Sequence, residues 1–177
     1  YLLDHDEIAT LSGEGVTFVD EHLEPLEKEL KTADWDMEAA EKGGYPHFMI
    51  KEINEQPLAI RTTIMPRIKD GLPCLEECGI TLEKLKDFTN ITIVACGTAM
   101  HAGMVGKYVI EDLARVPVNV DIASEFRYRN PIVGKGDLVI IISQSGETAD
   151  SLAAMRLAKQ KGATTLAIVN AKGSSIA

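Results

Sequence analysis

The sequence predicts an α/β fold in which a parallel sheet is flanked by helices, preceded by a short β-hairpin. From residue 91 onward, apolar runs of strand length alternate with helical patterns. Such alternation implies parallel strands joined by right-handed crossovers. Two of the apolar runs, Ile91–Ala95 and Leu138–Ile142, each lead into a turn of small hydroxyl and glycine residues. In α/β folds, the turns at this end of the sheet are where ligands bind.

The first predicted element is the β-hairpin. Ile8–Leu11 and Val16–Val19 are apolar runs on either side of Ser12-Gly13-Glu14-Gly15, a turn that contains two glycines. A lone hairpin is only marginally stable in water, so we expect these strands to belong to a larger sheet. The acidic stretch 21–40 is expected to form a surface segment, and the glycine pair at 43–44 a flexible joint.

A helical pattern begins at His47, where apolar residues recur among charged ones. Pro57 either ends this helix or begins the next one, because proline fits best in the first turn of a helix. Pro66 is expected to end the apolar stretch Leu58–Met65. Thr81 is a suitable N-cap for the short amphipathic helix that follows it.

The remaining elements alternate between helix and strand. After Ile91–Ala95 we expect helices at Ala102–Ala114 and Ala149–Lys161 and strands at Val118–Ile122, Leu138–Ile142 and Thr164–Val169. In the first of these helices Val105 and Val109 share one face. Gly103 and Gly106 lower its helix propensity by about 1 kcal/mol each relative to alanine, so we expect them to allow close packing. The turn Lys172-Gly173-Ser174-Ser175 is typical of the start of another helix.

Composition narrows the function classes. The chain of 177 residues is 45% hydrophobic and 25% charged, which is ordinary for a globular protein. Its net charge of −9 opposes binding to nucleic acid, because that binding depends on Lys and Arg to neutralise phosphates. No apolar run approaches the roughly 20 residues of a membrane helix, and no signal-peptide pattern is present. We therefore expect no membrane contact and a cytoplasmic location.

The charge is unevenly distributed along the chain. Residues 1–56 carry 15 Asp and Glu against 4 Lys and Arg, whereas residues 57–177 carry 12 against 14. This break in composition predicts a change of domain near residues 43–57.

The three cysteines favour a reducing compartment, because their odd number provides no disulfide framework. Cys74 and Cys78 have the spacing C-x₃-C but lack two further zinc ligands nearby, so no metal site is expected. Cys96 ends an apolar strand and is expected to be buried. His101 begins a helix and is expected at the surface, with catalysis as the alternative.

The two turns are candidate anion sites. Ser143, Gln144, Ser145 and Thr148 place four side-chain donors within six residues. At a helix N-terminus, free N–H groups and the helix dipole favour an anion such as phosphate. The alternative is that hydroxyl groups only cap their helices, Ser145 and Thr148 in the second turn and Thr98 in the first. Two such turns on strands of one sheet favour the ligand.

Other features of the turns limit the kind of ligand. Neither turn contains Lys or Arg, and the chain has no glycine-rich nucleotide-binding motif. The pattern therefore favours a phosphorylated ligand that is released readily over a tightly held nucleotide. Glu147 is expected to complement the helix dipole, with the orientation of a hydroxyl as the alternative. Ser124–Arg129 predicts a solvated loop or a subunit contact, with a sugar contact as the alternative.

Four motifs resemble one family. They read A-C-G-T at Ala95–Thr98, A-S-E-F-R-Y-R at Ala123–Arg129, S-Q-S-G-E-T-A-D at Ser143–Asp150 and H-F-M-I-K-E-I-N-E-Q-P at His47–Pro57. Together they resemble the glucosamine-6-phosphate synthases, the glutamine:fructose-6-phosphate amidotransferases. The resemblance implies a flavodoxin-like sugar-isomerase (SIS) domain, incomplete, over 89–177, and a linker with a helical lead-in over 44–88. It implies the C-terminal tail of a type 2 amidotransferase (glutaminase) domain over 1–43, and a chain cut from a longer polypeptide at both ends.

The resemblance also implies roles for residues. The family makes glucosamine-6-phosphate from fructose-6-phosphate and glutamine, the first step of hexosamine biosynthesis. By this resemblance Ser143, Gln144, Ser145 and Thr148 hold the sugar phosphate, and Cys96, Gly97 and Thr98 line the sugar. Where some members carry a serine, this chain has Ala99. Glutamine hydrolysis, the catalytic lysine and the glutamate base are expected outside the chain, which leaves no catalytic residue, cofactor or metal in it and implies that it is inactive alone. A homodimer is expected.

Two other function classes stay open. One is a non-catalytic SIS module that senses phosphosugars, but a transcriptional sensor of this kind should carry a basic helix-turn-helix in place of the acidic leader. The other is a domain that mainly supplies subunit contacts, because an incomplete sheet leaves an exposed edge.

Overall fold

The computed structural model describes residue 1 and residues 3–30 and 41–177. Residues 31–40, half of the predicted acidic surface segment, lie outside the described residues. The chain divides into two compact units, Tyr1–Thr62 and Thr63–Ala177. Among the described residues, no helix combines the length and the apolar character needed to cross a membrane.

The first unit begins with a small antiparallel sheet. Strand β1 (Ile8–Ser12) pairs with β2 (Gly15–Val19), which confirms the predicted hairpin with slightly longer strands. A short third strand, β3 (Pro25–Leu26), adds to β2 through Phe18 and Leu26. The Phe18 side chain is buried, and its ring centroid lies 4.9 Å from that of Tyr1.

Helix α1 (Phe48–Ile64) is longer than expected, because it continues through Pro57. Both sequence alternatives for Pro57 are therefore wrong: the residue neither ends one helix nor begins another. Proline removes only the one backbone bond to the carbonyl of Ile53, and both residues are exposed, so solvent can replace that bond. The α-helix ends at Ile64, just before Pro66, as predicted. A 3₁₀ turn, Met65–Arg67, follows it.

A connecting segment leads to the main sheet. It contains the two-residue strands β4 (Ile68–Lys69) and β5 (Leu72–Pro73), a 3₁₀ turn at Glu76–Cys78 and the short helix α2 (Leu82–Lys86). Thr81 caps α2 as predicted, because its hydroxyl accepts a hydrogen bond of 3.2 Å from the backbone N–H of Lys84.

The main sheet has four parallel strands. They are β6 (Asn90–Ala95), β7 (Val118–Ile122), β8 (Asp137–Ser143) and β9 (Thr164–Val169), in the order β7-β6-β8-β9. All three pairings are parallel and in continuous register. The predicted α/β fold with a parallel sheet is confirmed, and each strand end lies within one residue of its predicted position.

Three helices cover the two faces of this sheet. Helix α3 (Thr98–Ala114) packs on one face, against Ile93. Helices α4 (Ala123–Tyr128) and α5 (Ala149–Gln160) pack on the other, where the core lies. That core is centred on Val94, Phe126, Val139, Ile141, Ala154 and Ala158, all of which are fully buried.

Helix α3 contacts the sheet through its glycines. A Cβ atom on Gly103 would lie 2.8 Å from Cγ2 of Ile93, so this glycine permits the close packing that the sequence predicts. The face that carries Val105 and Val109 is turned away from the sheet, and these two side chains are 64% and 50% exposed. The apolar stripe of α3 is therefore not its packing face within this unit.

The A-S-E-F-R-Y-R motif forms helix α4, not the solvated loop that the sequence suggests. Phe126 is fully buried in the core and fixes this helix on the sheet. Arg127 extends from α4 to α5, where its guanidinium lies 2.8 Å from the carboxylate of Asp150. Its charge also lies over the Tyr128 ring, 4.7 Å from the centroid.

Candidate functional site

The turns at residues 96–99 and 143–148 lie side by side because the strands that lead into them are neighbours. In the parallel pairing of β6 with β8, Ala95 is the partner of Ile142. Cys96 and Ser143 are therefore the next residues on adjacent strand ends, and both turns leave the same edge of the sheet. This is the edge at which α/β proteins bind ligands.

A cleft of about 240 Å³ opens between the two turns. Six of the seven predicted site residues line it, namely Cys96, Thr98, Ser143, Gln144, Ser145 and Thr148, together with Ala99 and Ile142. The seventh, Gly97, lies between two lining residues. It is the N-cap of α3 and has a φ of 57°, a backbone conformation that favours glycine. The structure thus brings together residues that are separated by up to 52 positions along the chain.

A second opening, of about 410 Å³, continues from the same edge towards β9. It shares five lining residues with the first cleft, namely Thr98, Ala99, Ile142, Ser143 and Gln144. Thr63, Ile168, Val169 and Asn170 complete its lining. The space beside the two turns is therefore large enough for a ligand bigger than a phosphate group.

Hydrogen bonds shape the turn Ser143–Thr148, named here the hydroxyl turn. Ser143 Oγ accepts from the backbone N–H of Gly146 at 3.1 Å and lies 3.3 Å from Thr148 Oγ1. Ser145 Oγ accepts from the backbone N–H of Glu147 at 3.2 Å. A hydroxyl that accepts a bond keeps its own proton to donate. The exposed Ser145 hydroxyl can therefore donate to a ligand in the cleft. The exposed Gln144 side chain can donate as well, through its amide N–H groups.

The alternative that these hydroxyls only cap helices does not hold. Thr148 occupies the N-cap position of α5, but its side chain makes no capping bond to the helix. The N-cap of α3 is Gly97, and Thr98 is already inside the helix. The backbone N–H held by Ser145 belongs to Glu147, which precedes the helix.

Two carboxylates and the positive end of the α5 dipole lie at the start of this helix. Both nearby carboxylates are engaged by donors: Asp150 by the Arg127 guanidinium, and Glu147 by the backbone N–H of Ser175 at 2.7 Å. The bond to Asp150 raises the pKa of Arg127 above its ordinary value. With these carboxylates held by other groups, the positive end of the α5 dipole remains available to a ligand.

The residues after β9, 170–177, form a turn that packs on the hydroxyl turn; we name it the C-terminal turn. Backbone N–H groups of Asn170 and Ala171 both donate to the Gln144 carbonyl at 3.3 Å, and that of Ile176 donates to the Gly146 carbonyl at 3.0 Å. The Ile176 side chain is buried in the core. The sequence predicted the start of a helix here, but residues 171–177 form turns and no helix. The apolar Ile176 after two serines is the signal for packing that the sequence offered.

Cys96 is half-buried, so the prediction of a buried residue holds in part. Its Sγ atom lies 3.9 Å from the hydroxyl of Ser151, a fully buried residue of α5, while the cysteine also lines the cleft. His101 is exposed, as expected for a surface residue. Within the described parts of the chain, no cluster of three His, Cys, Asp or Glu residues is arranged to hold a metal ion.

Comparison with protein families shows which family the chain belongs to. The SIS domain family matches residues 84–177, more than half of the chain, and the chain belongs to this family. Over its whole length the chain is 57% identical to a glutamine–fructose-6-phosphate aminotransferase (isomerizing) of Clostridium acetobutylicum and spans 29% of that relative. A relative of the same name from Thermus thermophilus is 45% identical over 97% of the chain, which spans 28% of it.

Two solved structures share the fold of this chain. The C-terminal domain of glucosamine-fructose-6-phosphate aminotransferase from Francisella tularensis is 45% identical, with a TM-score of 0.68 over 77% of this chain and 38% of that one. Tagatose-6-phosphate ketose/aldose isomerase from Escherichia coli, at 19% identity, shares the fold with a TM-score of 0.62 over 74% of this chain and 36% of that one.

Proposed function

We propose that this chain is the part of a glutamine–fructose-6-phosphate aminotransferase that binds the phosphate of fructose-6-phosphate. The whole enzyme would form glucosamine-6-phosphate from that sugar and glutamine. One observation carries the proposal: two turns of a SIS domain, far apart in sequence, line a single cleft at the strand ends and supply it with the hydroxyl groups of Thr98, Ser143, Ser145 and Thr148. The 57% identity to an aminotransferase along the entire chain supports the same conclusion.

In this proposal the hydroxyl turn holds the phosphate. The side chains of Ser143, Gln144, Ser145 and Thr148 donate hydrogen bonds to its oxygens, and the α5 dipole favours its charge. Cys96, Gly97 and Thr98 line the sugar from the opposite turn. Ala99 contributes only a methyl group to the cleft, so Thr98 supplies the hydroxyl on this side.

The contribution to catalysis is remote positioning. A phosphate that is held firmly allows binding energy from this end of the sugar to orient the reacting carbons at the other end. The cleft lacks Lys and Arg among its lining residues, all of which the structure describes, so affinity depends on neutral donors and the helix dipole. Such a site releases its product readily. Glutamine hydrolysis and the amination chemistry would belong to other parts of the enzyme.

We assign residues 1–43 to the end of a glutaminase domain, 44–88 to the linker and 89–177 to the first SIS domain. The family match from residue 84 supports the last boundary to within five residues. We also propose a homodimer located in the cytoplasm, where the thiols of Cys74, Cys78 and Cys96, all free here, would stay reduced.

The test is Ser145→Ala in the whole protein. Loss of a hydrogen bond to a charged phosphate should weaken binding of fructose-6-phosphate about tenfold, measured by calorimetry. Thr89→Ala, at an exposed threonine just before the opposite end of β6, is the matched control. Unchanged affinity in both Ser145→Ala and Thr148→Ala would contradict the proposal. The melting temperature of each variant separates lost affinity from lost stability.

A further inference from the structure

Hydrogen bonds from both the backbone and side chains join the hydroxyl turn to the C-terminal turn. Three of them link backbone groups, at the carbonyls of Gln144 and Gly146. The others use the Glu147 carboxylate, which accepts from the Ser175 hydroxyl and from the backbone N–H of Ser175 at 2.7 Å, a distance shorter than those of the three backbone bonds. Substitution of Glu147 therefore removes the side-chain bonds between the two turns and leaves the three backbone bonds in place.

The Glu147 carboxylate bonds outside helix α5. Glu147 precedes the N-cap residue Thr148, and its side chain reaches a residue 28 positions further along the chain. Hydrogen bonds from the hydroxyl and then the backbone N–H of Ser175 hold the pKa of Glu147 below its ordinary value of 4.5. The group is therefore a charged acceptor at neutral pH, which strengthens the bond.

Glu147 also connects the C-terminal turn to the proposed phosphate donor. Its backbone N–H donates to Ser145 Oγ at 3.2 Å, while its carboxylate holds Ser175. The two bonds form a short relay from the C-terminal turn through Glu147 to the Ser145 hydroxyl. A shift of Glu147 would turn that hydroxyl away from the cleft.

We infer that Glu147 is a positioning residue for sugar-phosphate binding, which acts by tying the hydroxyl turn to the C-terminal turn through Ser175. The inference rests on the proposed function of the hydroxyl turn. The role depends on the reach of the side chain and on its acceptor oxygen, whereas a dipole-complementing role depends on charge alone.

Three substitutions in the whole protein separate reach from charge. Glu147→Asp keeps the charge but is too short to reach Ser175, Glu147→Gln keeps the reach and an acceptor oxygen, and Glu147→Ala loses both. The affinity for fructose-6-phosphate should fall roughly three- to tenfold in the Asp and Ala variants and stay within about twofold in the Gln variant. Glu83→Ala, at an exposed first-turn glutamate of α2, is the control for helix stability.

The outcomes are distinct. Full affinity in Glu147→Asp with reduced affinity in Glu147→Gln would overturn the inference in favour of the dipole. So would full affinity in all three variants while Ser145→Ala binds weakly, although the proposed function would then stand. If Ser145→Ala and Thr148→Ala both bind normally as well, the proposed function fails and the inference fails with it. A melting temperature lowered no more than in Glu83→Ala, together with weak binding, supports positioning.

Discussion

Gly146 lies directly against Ser174. A Cβ atom on Gly146 would lie 1.9 Å from the Oγ atom of Ser174 and 2.5 Å from its Cβ. The φ of Gly146 is 68°, in the left-handed region that other residues enter at a cost. Close approach and backbone conformation thus both require glycine at the centre of the hydroxyl turn. The Ser174 hydroxyl is buried and makes no hydrogen bond to any residue that the structure describes, so its contribution here is shape.

Gly146→Ala should therefore destabilise the protein, by about 1–3 kcal/mol from the overlap and a further 1 kcal/mol or so from the backbone strain. Ser174→Gly in the same chain removes the overlapping atoms and should recover the first part but not the second. Denaturant unfolding of the wild type, both single variants and the double variant measures the coupling. Strictly additive effects would show that the two residues do not compete for the same space.

The pair Gly103 and Gly106 offers a sharper comparison within one helix. A Cβ atom on Gly103 would lie 2.8 Å from Ile93 Cγ2, whereas one on Gly106 would lie 3.6 Å from Ile93 Cδ1, an ordinary contact. Gly103→Ala should cost about 1–3 kcal/mol of stability, because α3 must move away from the sheet. Gly106→Ala should gain up to about 1 kcal/mol from helix propensity. Thermal unfolding of the two variants tests this, and equal effects would contradict the packing of α3.

Cysteine labelling probes the cleft without any substitution. Cys96 lines the cleft, whereas Cys74 and Cys78 lie in the connecting segment and do not. Fructose-6-phosphate should slow alkylation of Cys96 by covering its Sγ atom, and should leave the other two thiols unchanged. Mass spectrometry of the alkylated peptides gives the three rates. Equal rates at Cys96 with and without the sugar phosphate would place the ligand elsewhere.

Much of the site could be predicted because it depends on local sequence and one rule of topology. Apolar runs mark β6 and β8, and parallel strands end at the same edge of the sheet, so both turns were expected at that edge. The structure adds that β6 and β8 are direct neighbours. The residue types in those turns then indicated hydrogen-bond donors. Local pattern is sufficient here because strand, turn and helix follow one another without interruption.

The remaining features depend on contacts between distant residues, which periodicity does not encode. The bond between Glu147 and Ser175 spans 28 positions, and a dipole role was the simpler prediction for a glutamate beside a helix. The helical A-S-E-F-R-Y-R motif is fixed by the burial of Phe126 in a core assembled from other elements. The stripe at Val105 and Val109 suggested a packing face, but the glycines allow the closer approach.

Glu111 couples the end of α3 to the start of β7. Its Oε1 atom accepts hydrogen bonds from Lys107 Nζ at 2.7 Å and from the backbone N–H of Val118 at 3.0 Å. These bonds, that of Lys107 first, hold the pKa of Glu111 below its ordinary value of 4.5. The carboxylate is therefore more acidic in the folded protein than in the unfolded chain.

This difference gives stability a defined dependence on pH. Because the folded pKa is the lower one, Glu111 contributes its stabilisation above the unfolded value of 4.5, and the contribution is lost as pH falls through the folded value. Glu111→Gln should lower the melting temperature at neutral pH, and the gap to wild type should close in more acidic buffer. Asp112→Asn, an exposed neighbour on the same helix, should show a smaller gap. A gap for Glu111→Gln that stayed constant well below pH 4.5 would mean that its carboxylate charge does not hold α3 to β7.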